Sequence, residues 1–145
     1  MPGSVSVIRE YFQQPEETRK NFTNGLLRTG DMAKADLEGY LYFVDYLKDM
    51  IVSGGLNIYS REVEEALLLH PDIQDAAVIG VPEKTFGEAV KAFVIPVKEA
   101  KPSPDVLIAH CMTQIASYKK PKYIQLVGAL PRNSVGKVAK HLLRN

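Results

Sequence analysis

Two apolar runs joined by a short turn constrain this chain more than anything else in it. Ile73 to Val81 carries Asp75-Ala76-Ala77-Val78-Ile79-Gly80-Val81 and reads as a core strand. Pro82-Glu83-Lys84 turns the chain, and Glu88-Ala89-Val90-Lys91-Ala92-Phe93-Val94-Ile95-Pro96-Val97 is a second strand. Strands connected this briefly form an antiparallel pair, because parallel pairing needs a long crossover.

The flanking segments supply the helices. Ser60 can cap a helix with Glu62 in its first turn, and Val63, Ala66 and Leu67 recur at helical spacing. His70-Pro71 stops it. Ser103-Pro104-Asp105 starts a second helix running to about Ser117, followed by a last short strand over Tyr123–Val127. Upstream, Pro15 to Phe22 is helical, with acids near its start and bases near its end, and Asn24-Gly25 closes it. Tyr40–Tyr46 is a strand, and Met50-Ile51-Val52 resumes the extended pattern after the charged interruption Leu47-Lys48-Asp49. That interruption is a natural place to bend. Ser53-Gly54-Gly55 then reads as a flexible loop open to close approach by a ligand. The order predicts an α+β fold: a two-layer sandwich, its small sheet mostly antiparallel with helices on one face, preceded by a hairpin.

Composition narrows the partners. The 145 residues carry a formal charge of +1, which argues against recruitment to nucleic acid or membrane by bulk electrostatics. The balance hides a gradient. No acid follows Asp105, whereas Lys119, Lys120, Lys122, Arg132, Lys137, Lys140 and Arg144 all do. A basic final third suits an anionic ligand, phosphates above all. Cys111 is the only cysteine, so no internal disulfide can form, which fits a reducing, cytoplasmic setting. His70, His110 and His141 show no metal-ligand spacing, and no metal site is expected. No apolar run approaches the ~20 residues of a membrane span, and the opening residues lack the regions of a signal peptide.

Leu130-Pro131-Arg132-Asn133-Ser134-Val135-Gly136-Lys137 has the makings of a turn that carries a lysine at its tip. Such a mobile point charge suits delivery to a phosphate. It is not a P-loop, because Gly128 lies too far upstream and Val138 stands where Ser or Thr is required. Thr29-Gly30-Asp31 offers a carboxylate that can accept paired hydrogen bonds from a sugar diol.

These pieces occur in a telling order: Thr29-Gly30-Asp31, Tyr42-Phe43-Val44-Asp45, Lys48 to Tyr59, Glu62-Val63-Glu64, Gly87-Glu88, Tyr118-Lys119-Lys120-Pro121-Lys122, and Leu130-Pro131-Arg132 with Gly136-Lys137. Together they resemble the C-terminal part of the adenylate-forming acyl-CoA synthetases, over nearly the whole chain. The resemblance implies an ATP-dependent carboxylate–CoA ligase, most simply for fatty or related acids, that forms an acyl-adenylate and then a thioester. Its reactants are ATP, CoA and a carboxylic acid, with Mg2+ bound through ATP and the absent large domain. An adenylation domain that loads a carrier protein shares every motif. A non-catalytic module that binds a nucleotide or protein partner is the third reading, and a nucleic-acid module is disfavoured.

By resemblance, Lys137 is the catalytic adenylation lysine and Lys48 the hinge about which the small domain swings. Asp31 binds the ribose. Gly54 and Gly55 line the pantetheine passage, and Tyr118, Lys120 and Lys122 meet the nucleotide end of CoA. Tyr46 stands where the family usually has a nucleotide-holding arginine, a departure that removes a charged fork. Residues 1–47 are expected to be the tail of the large domain and 48–145 the mobile domain, so the isolated chain is expected to be inactive.

Overall fold

A computed structural model describes residues 10–24 and 26–144. The expectations for Gly25 and for the opening nine residues lie outside it. The chain forms α1 (Pro15–Asn21), β1 (Phe22–Thr23), β2 (Leu26–Leu27), β3 (Asp31–Ala35), β4 (Leu41–Tyr46), β5 (Ile51–Ser53), β6 (Leu56–Ile58), α2 (Ser60–Leu68), β7 (Ile73–Glu83), β8 (Gly87–Pro96), α3 (Pro104–Gln114), β9 (Tyr123–Leu126) and α4 (Lys140–Leu143). Short 3-10 turns occupy Leu47–Asp49 and Ser117–Lys119. It is an α+β fold.

The expected hairpin is its centre. β7 and β8 pair antiparallel from Ile73↔Pro96 to Glu83↔Gly87. β9 joins β8 in parallel from Lys91↔Tyr123 to Val94↔Leu126, and β5 meets β8 at Ser53↔Gly87. Both faces of the hairpin are covered, which is why its strands read as unbroken apolar runs. On one face Ala76, Val78, Val90, Ala92 and Val94 pack on Val63, Ala66 and Leu67 of α2 and on Leu107 and Cys111 of α3. Burying each of the large aliphatic side chains contributes about 1.5–3 kcal/mol. Burial also pushes the Cys111 thiol up to about 11, so it stays protonated and unreactive. On the opposite face Ala77, Ile79 and Phe93 meet Leu130, Val127, Val138 and Leu143. The C-terminal segment is therefore fastened to the back of the sheet by its own apolar residues.

Local signals decided some elements and tertiary contacts decided others. Ser103 caps α3 through Val106 N–H (3.4 Å), with Pro104 as the first helical residue. The helix ends at Gln114, short of Ser117. Ser60 does not cap α2; it is the first helical residue. The buried carboxylate of Asp45 takes over, accepting from Arg61 N–H (3.2 Å) and Ser60 Oγ (2.9 Å) at the positive end of the helix. Gly54 and Gly55, with φ of 58° and 80°, make the tight β5–β6 turn rather than a flexible loop. Gly80 serves packing: a Cβ there would lie 2.7 Å from Glu88 Oε1, whose partner oxygen accepts the β5 N–H of Val52 at 2.7 Å.

β3 and β4 form a separate two-stranded sheet. Its register shifts between Met32 and Ala33, so Met32 faces Asp45 while Ala33 faces Phe43. Residues three apart on a regular strand point to opposite faces. The bulge at Val44 lets Phe43 and Tyr46 pack edge-on, with centroids 5.1 Å apart.

Candidate functional site

The lysine turn is a built loop. Arg132 bridges to Val138, Asn133 N–H donates to the Lys137 carbonyl (2.8 Å), and Asn133 Oδ1 accepts from Val135 N–H (3.1 Å) and Lys137 N–H (2.9 Å). Gly136 takes φ of 83°, open only to glycine without strain. Arg132 clamps the turn by donating to the Gly136 carbonyl (2.8 Å) while pairing with Asp75 on β7. The backbone is thus anchored to the central sheet, and the freedom left to Lys137 is that of its side chain.

That side chain reaches across to β4. Lys137 Nζ donates to the Tyr46 hydroxyl at 3.0 Å and lies 5.5 Å from the ring centroid. This hydrogen bond holds the ammonium above the ordinary lysine range, so it is charged at neutral pH. Lys48 Nζ stands 5.7 Å from the same ring. Asp31 opens β3 directly opposite Tyr46, so both side chains share one face. A cavity of about 590 Å³ lies here, with Tyr46, Lys48, Arg61, Lys137 and Lys140 on its wall. Tyr46, Lys48 and Lys137 thus line one cavity, with Asp31 paired opposite Tyr46 on the neighbouring strand.

Lys48 itself lies in the turn Leu47–Asp49 between β4 and β5, and its carbonyl accepts from Arg144 at 3.3 Å. Arg144 also pairs with the buried Asp49 at 3.2 Å. Behind the cavity runs a polar network that sequence reasoning missed. Lys140 Nζ donates to Ser60 Oγ (2.7 Å) and pairs with Glu64 (2.7 Å), whose Oε1 also accepts from Val78 N–H (2.8 Å). Burial raises the Glu64 carboxyl above the usual carboxylate range, partly offset by Lys140. Lys140 was legible only as one more base in the gradient; nothing marked Asp45, Ser60 and Glu64 as its neighbours.

A second cavity, about 400 Å³, has Gly54, Phe86, Val90, Tyr118, Lys120 and Lys122 on its wall. Gly55 sits beside it in the same turn. Lys119 turns away, held by both Glu62 oxygens at 2.7 Å. Lys122 is paired with Glu83 at 3.2 Å, which keeps its ammonium above the ordinary range, and Lys120 donates to the Ser117 carbonyl at 3.1 Å. The two cavities share no lining residue. Among the described residues no cluster of His, Cys, Asp or Glu could hold a metal ion, and no helix is long and apolar enough to cross a membrane.

The α+β domain thus carries a lysine-tipped turn at one cavity and, at the other, Lys120 and Lys122, each held by a partner within the chain. The chain belongs to the AMP-binding enzyme C-terminal domain family, whose model matches residues 62–137. It is 43% identical over 138 residues to a long-chain-fatty-acid–CoA ligase of Mycobacterium tuberculosis, covering 95% of this chain and 27% of that protein. A long-chain-fatty-acid–CoA ligase of Bacillus subtilis is 45% identical over 137 residues, covering 94% and 24%. Among solved structures, o-succinylbenzoate CoA synthetase of Bacillus subtilis, in complex with its acyl-adenylate intermediate, superposes with a TM-score of 0.89 at 36% identity, covering 96% and 28%. ATP-bound MatB of Rhodopseudomonas palustris gives 0.87 at 37% identity, covering 94% and 27%. The chain spans about a quarter of the length of these relatives and matches their C-terminal part.

Proposed function

We propose that this chain is the C-terminal part of an ATP-dependent carboxylate–CoA ligase acting on fatty or related acids. One observation carries the reading: Lys137 Nζ meets Tyr46 directly across the strand pair from Asp31. A carboxylate able to take a ribose diol and an ammonium able to face an α-phosphate then stand on either side of Tyr46. During attack of a carboxylate on ATP, charge builds on phosphoryl oxygens, and a prepositioned ammonium stabilises it. The separate cavity at Gly54 and Tyr118 suits a later step, with its apolar wall for pantetheine and Lys120 and Lys122 for CoA phosphates. Mg2+ would be bound through ATP and the large domain.

Two features support a division near residue 47. The β3–β4 sheet is separate from the five-stranded sheet and joins it through the turn that holds Lys48. It also leaves Tyr40, Leu41 and Tyr42 more than half exposed, a contiguous apolar edge of the kind a neighbouring domain covers. Residues 1–47 are then the tail of the large domain, and 48–145 the mobile one. The single reduced, buried cysteine fits a cytoplasmic enzyme.

The full-length protein, given ATP, Mg2+, CoA and a panel of carboxylic acids, should release pyrophosphate in an acid-dependent way and form acyl-CoA. The isolated chain should do neither. Pyrophosphate release by the isolated chain, or none by the full-length protein with any acid, overturns the reading. In the full-length enzyme, Lys120→Ala with Lys122→Ala should raise KM for CoA about tenfold or more, increasingly so at high salt, with acyl-adenylate formation unchanged. Steady-state kinetics at two ionic strengths check this.

A further inference from the structure

We propose that Tyr46 is a positioning residue for Lys137, aiming its ammonium into the cleft without neutralising it. This rests on reading Lys137 as the adenylation lysine. The phenol oxygen accepts the Lys137 Nζ hydrogen bond at 3.0 Å, with the nitrogen beyond the hydroxyl, 5.5 Å from the ring centroid. Among the described residues Lys137 makes no ion pair, so the contact that orients it is to a neutral partner. The chemistry of that choice matters. A carboxylate at position 46 would hold the ammonium just as firmly, but the incoming phosphate would have to displace it. A phenol gives direction and leaves the full charge available, which is preorganisation of the kind that raises kcat rather than ground-state affinity.

Tyr46 is itself held. Its ring packs edge-on against Phe43, Phe43 lies 5.4 Å beneath the Arg61 guanidinium, and Tyr46 N–H donates to Asp45 Oδ1 at 2.8 Å. Asp45 in turn is buried and bonded to Ser60 and Arg61 at the start of α2. The aiming residue is therefore fixed from the far side of the proposed hinge, so its grip on Lys137 exists only in the domain orientation seen here. One tyrosine links the orientation of the small domain to the direction of its lysine.

The test uses the full-length enzyme and measures the two half-reactions separately. Tyr46→Phe, which removes one oxygen and keeps the ring, should lower kcat for acyl-adenylate formation about tenfold, with KM for ATP within about twofold. Tyr46→Leu, which removes the ring and its packing on Phe43 as well, should lower it at least as far. In a Lys137→Ala background Tyr46→Phe should add nothing, since its effect runs through the lysine. A thermal melt of Tyr46→Phe close to that of the wild type serves as the check of folding. Wild-type adenylation by Tyr46→Phe overturns the proposal. So does a raised KM for ATP at unchanged kcat, or a full further loss in the Lys137→Ala background. If Lys137→Ala itself adenylates normally, the reading of the lysine fails instead.

Discussion

Replacing Lys137 by alanine in the full-length enzyme should slow acyl-adenylate formation by about two to three orders of magnitude, the usual cost of one lost stabilising donor. The same variant, given preformed acyl-adenylate and CoA, should make thioester at the wild-type rate. The geometry explains why the loss should be confined to one step. Lys137 projects from a turn whose backbone is held by Arg132, Asn133 and Asp75, and none of these contacts uses the ammonium. Truncation at Cβ therefore leaves the loop and the sheet behind it intact. Among the described residues the exposed ammonium makes one side-chain hydrogen bond, with Tyr46, so folding loses little. The second cavity is lined by other residues altogether. The pH dependence follows the same logic. Because the Tyr46 hydrogen bond raises the lysine above its ordinary range, the charged form persists to higher pH. Any basic limb of adenylation that comes from Lys137 should lie above that range and vanish in Lys137→Ala. Stopped-flow measurement of pyrophosphate release, with thioester formation followed separately, decides the matter. Equal slowing of both steps in a folded variant would sink the assignment.

The parts of this molecule that were legible in its sequence are those whose cause is local. The β7–β8 hairpin follows from two apolar runs and a turn between them, and Ser103-Pro104 announces the start of α3. The parts that were not legible depend on partners far away in the chain. Ser60 carries every local qualification for a cap, yet Asp45, fifteen positions earlier, reaches the same helix terminus and turns Ser60 into a relay towards Lys140. Nothing in Tyr40–Tyr46 marks Val44 as a bulge, although that extra residue is what turns Phe43 and Tyr46 to a common face. Gly54-Gly55 looked flexible because two glycines permit many conformations; pairing of β5 with β6 selects one. The candidate site divides along the same line. The lysine turn could be seen in Asn133 and Gly136, whereas the meeting of Lys137 with Tyr46 spans 91 positions and needs the fold.

Lys48→Pro should spare acyl-adenylate formation and slow thioester formation by about two orders of magnitude or more, as expected when the geometry of a reaction cannot be reached. The direction follows from the local backbone. Lys48 lies in a 3-10 turn, where φ runs from about −50° to −70°, and proline fixes φ near −65°. Proline is therefore compatible with the orientation seen here, the one in which Lys137 reaches Tyr46, and it removes the rotation needed to leave it. Some stability should be lost, because a residue preceding proline disfavours helical values and Leu47 occupies that place. Around the turn, Leu47 N–H donates to the Gly30 carbonyl (2.8 Å), Arg144 holds the Lys48 carbonyl and Asp49, and Asp45 holds α2. Swinging the small domain away must break the Asp45 contacts to Ser60 and Arg61, since these join the two sides of the turn. Asp45→Asn, which keeps the shape and weakens the charge-assisted bonds, should therefore shift the balance the other way, favouring thioester formation at the expense of adenylation. Opposite effects of Lys48→Pro and Asp45→Asn on the ratio of the two half-reaction rates would establish the turn as the hinge. A parallel loss of both steps in Lys48→Pro, in a variant that remains folded at the assay temperature, would place the hinge elsewhere.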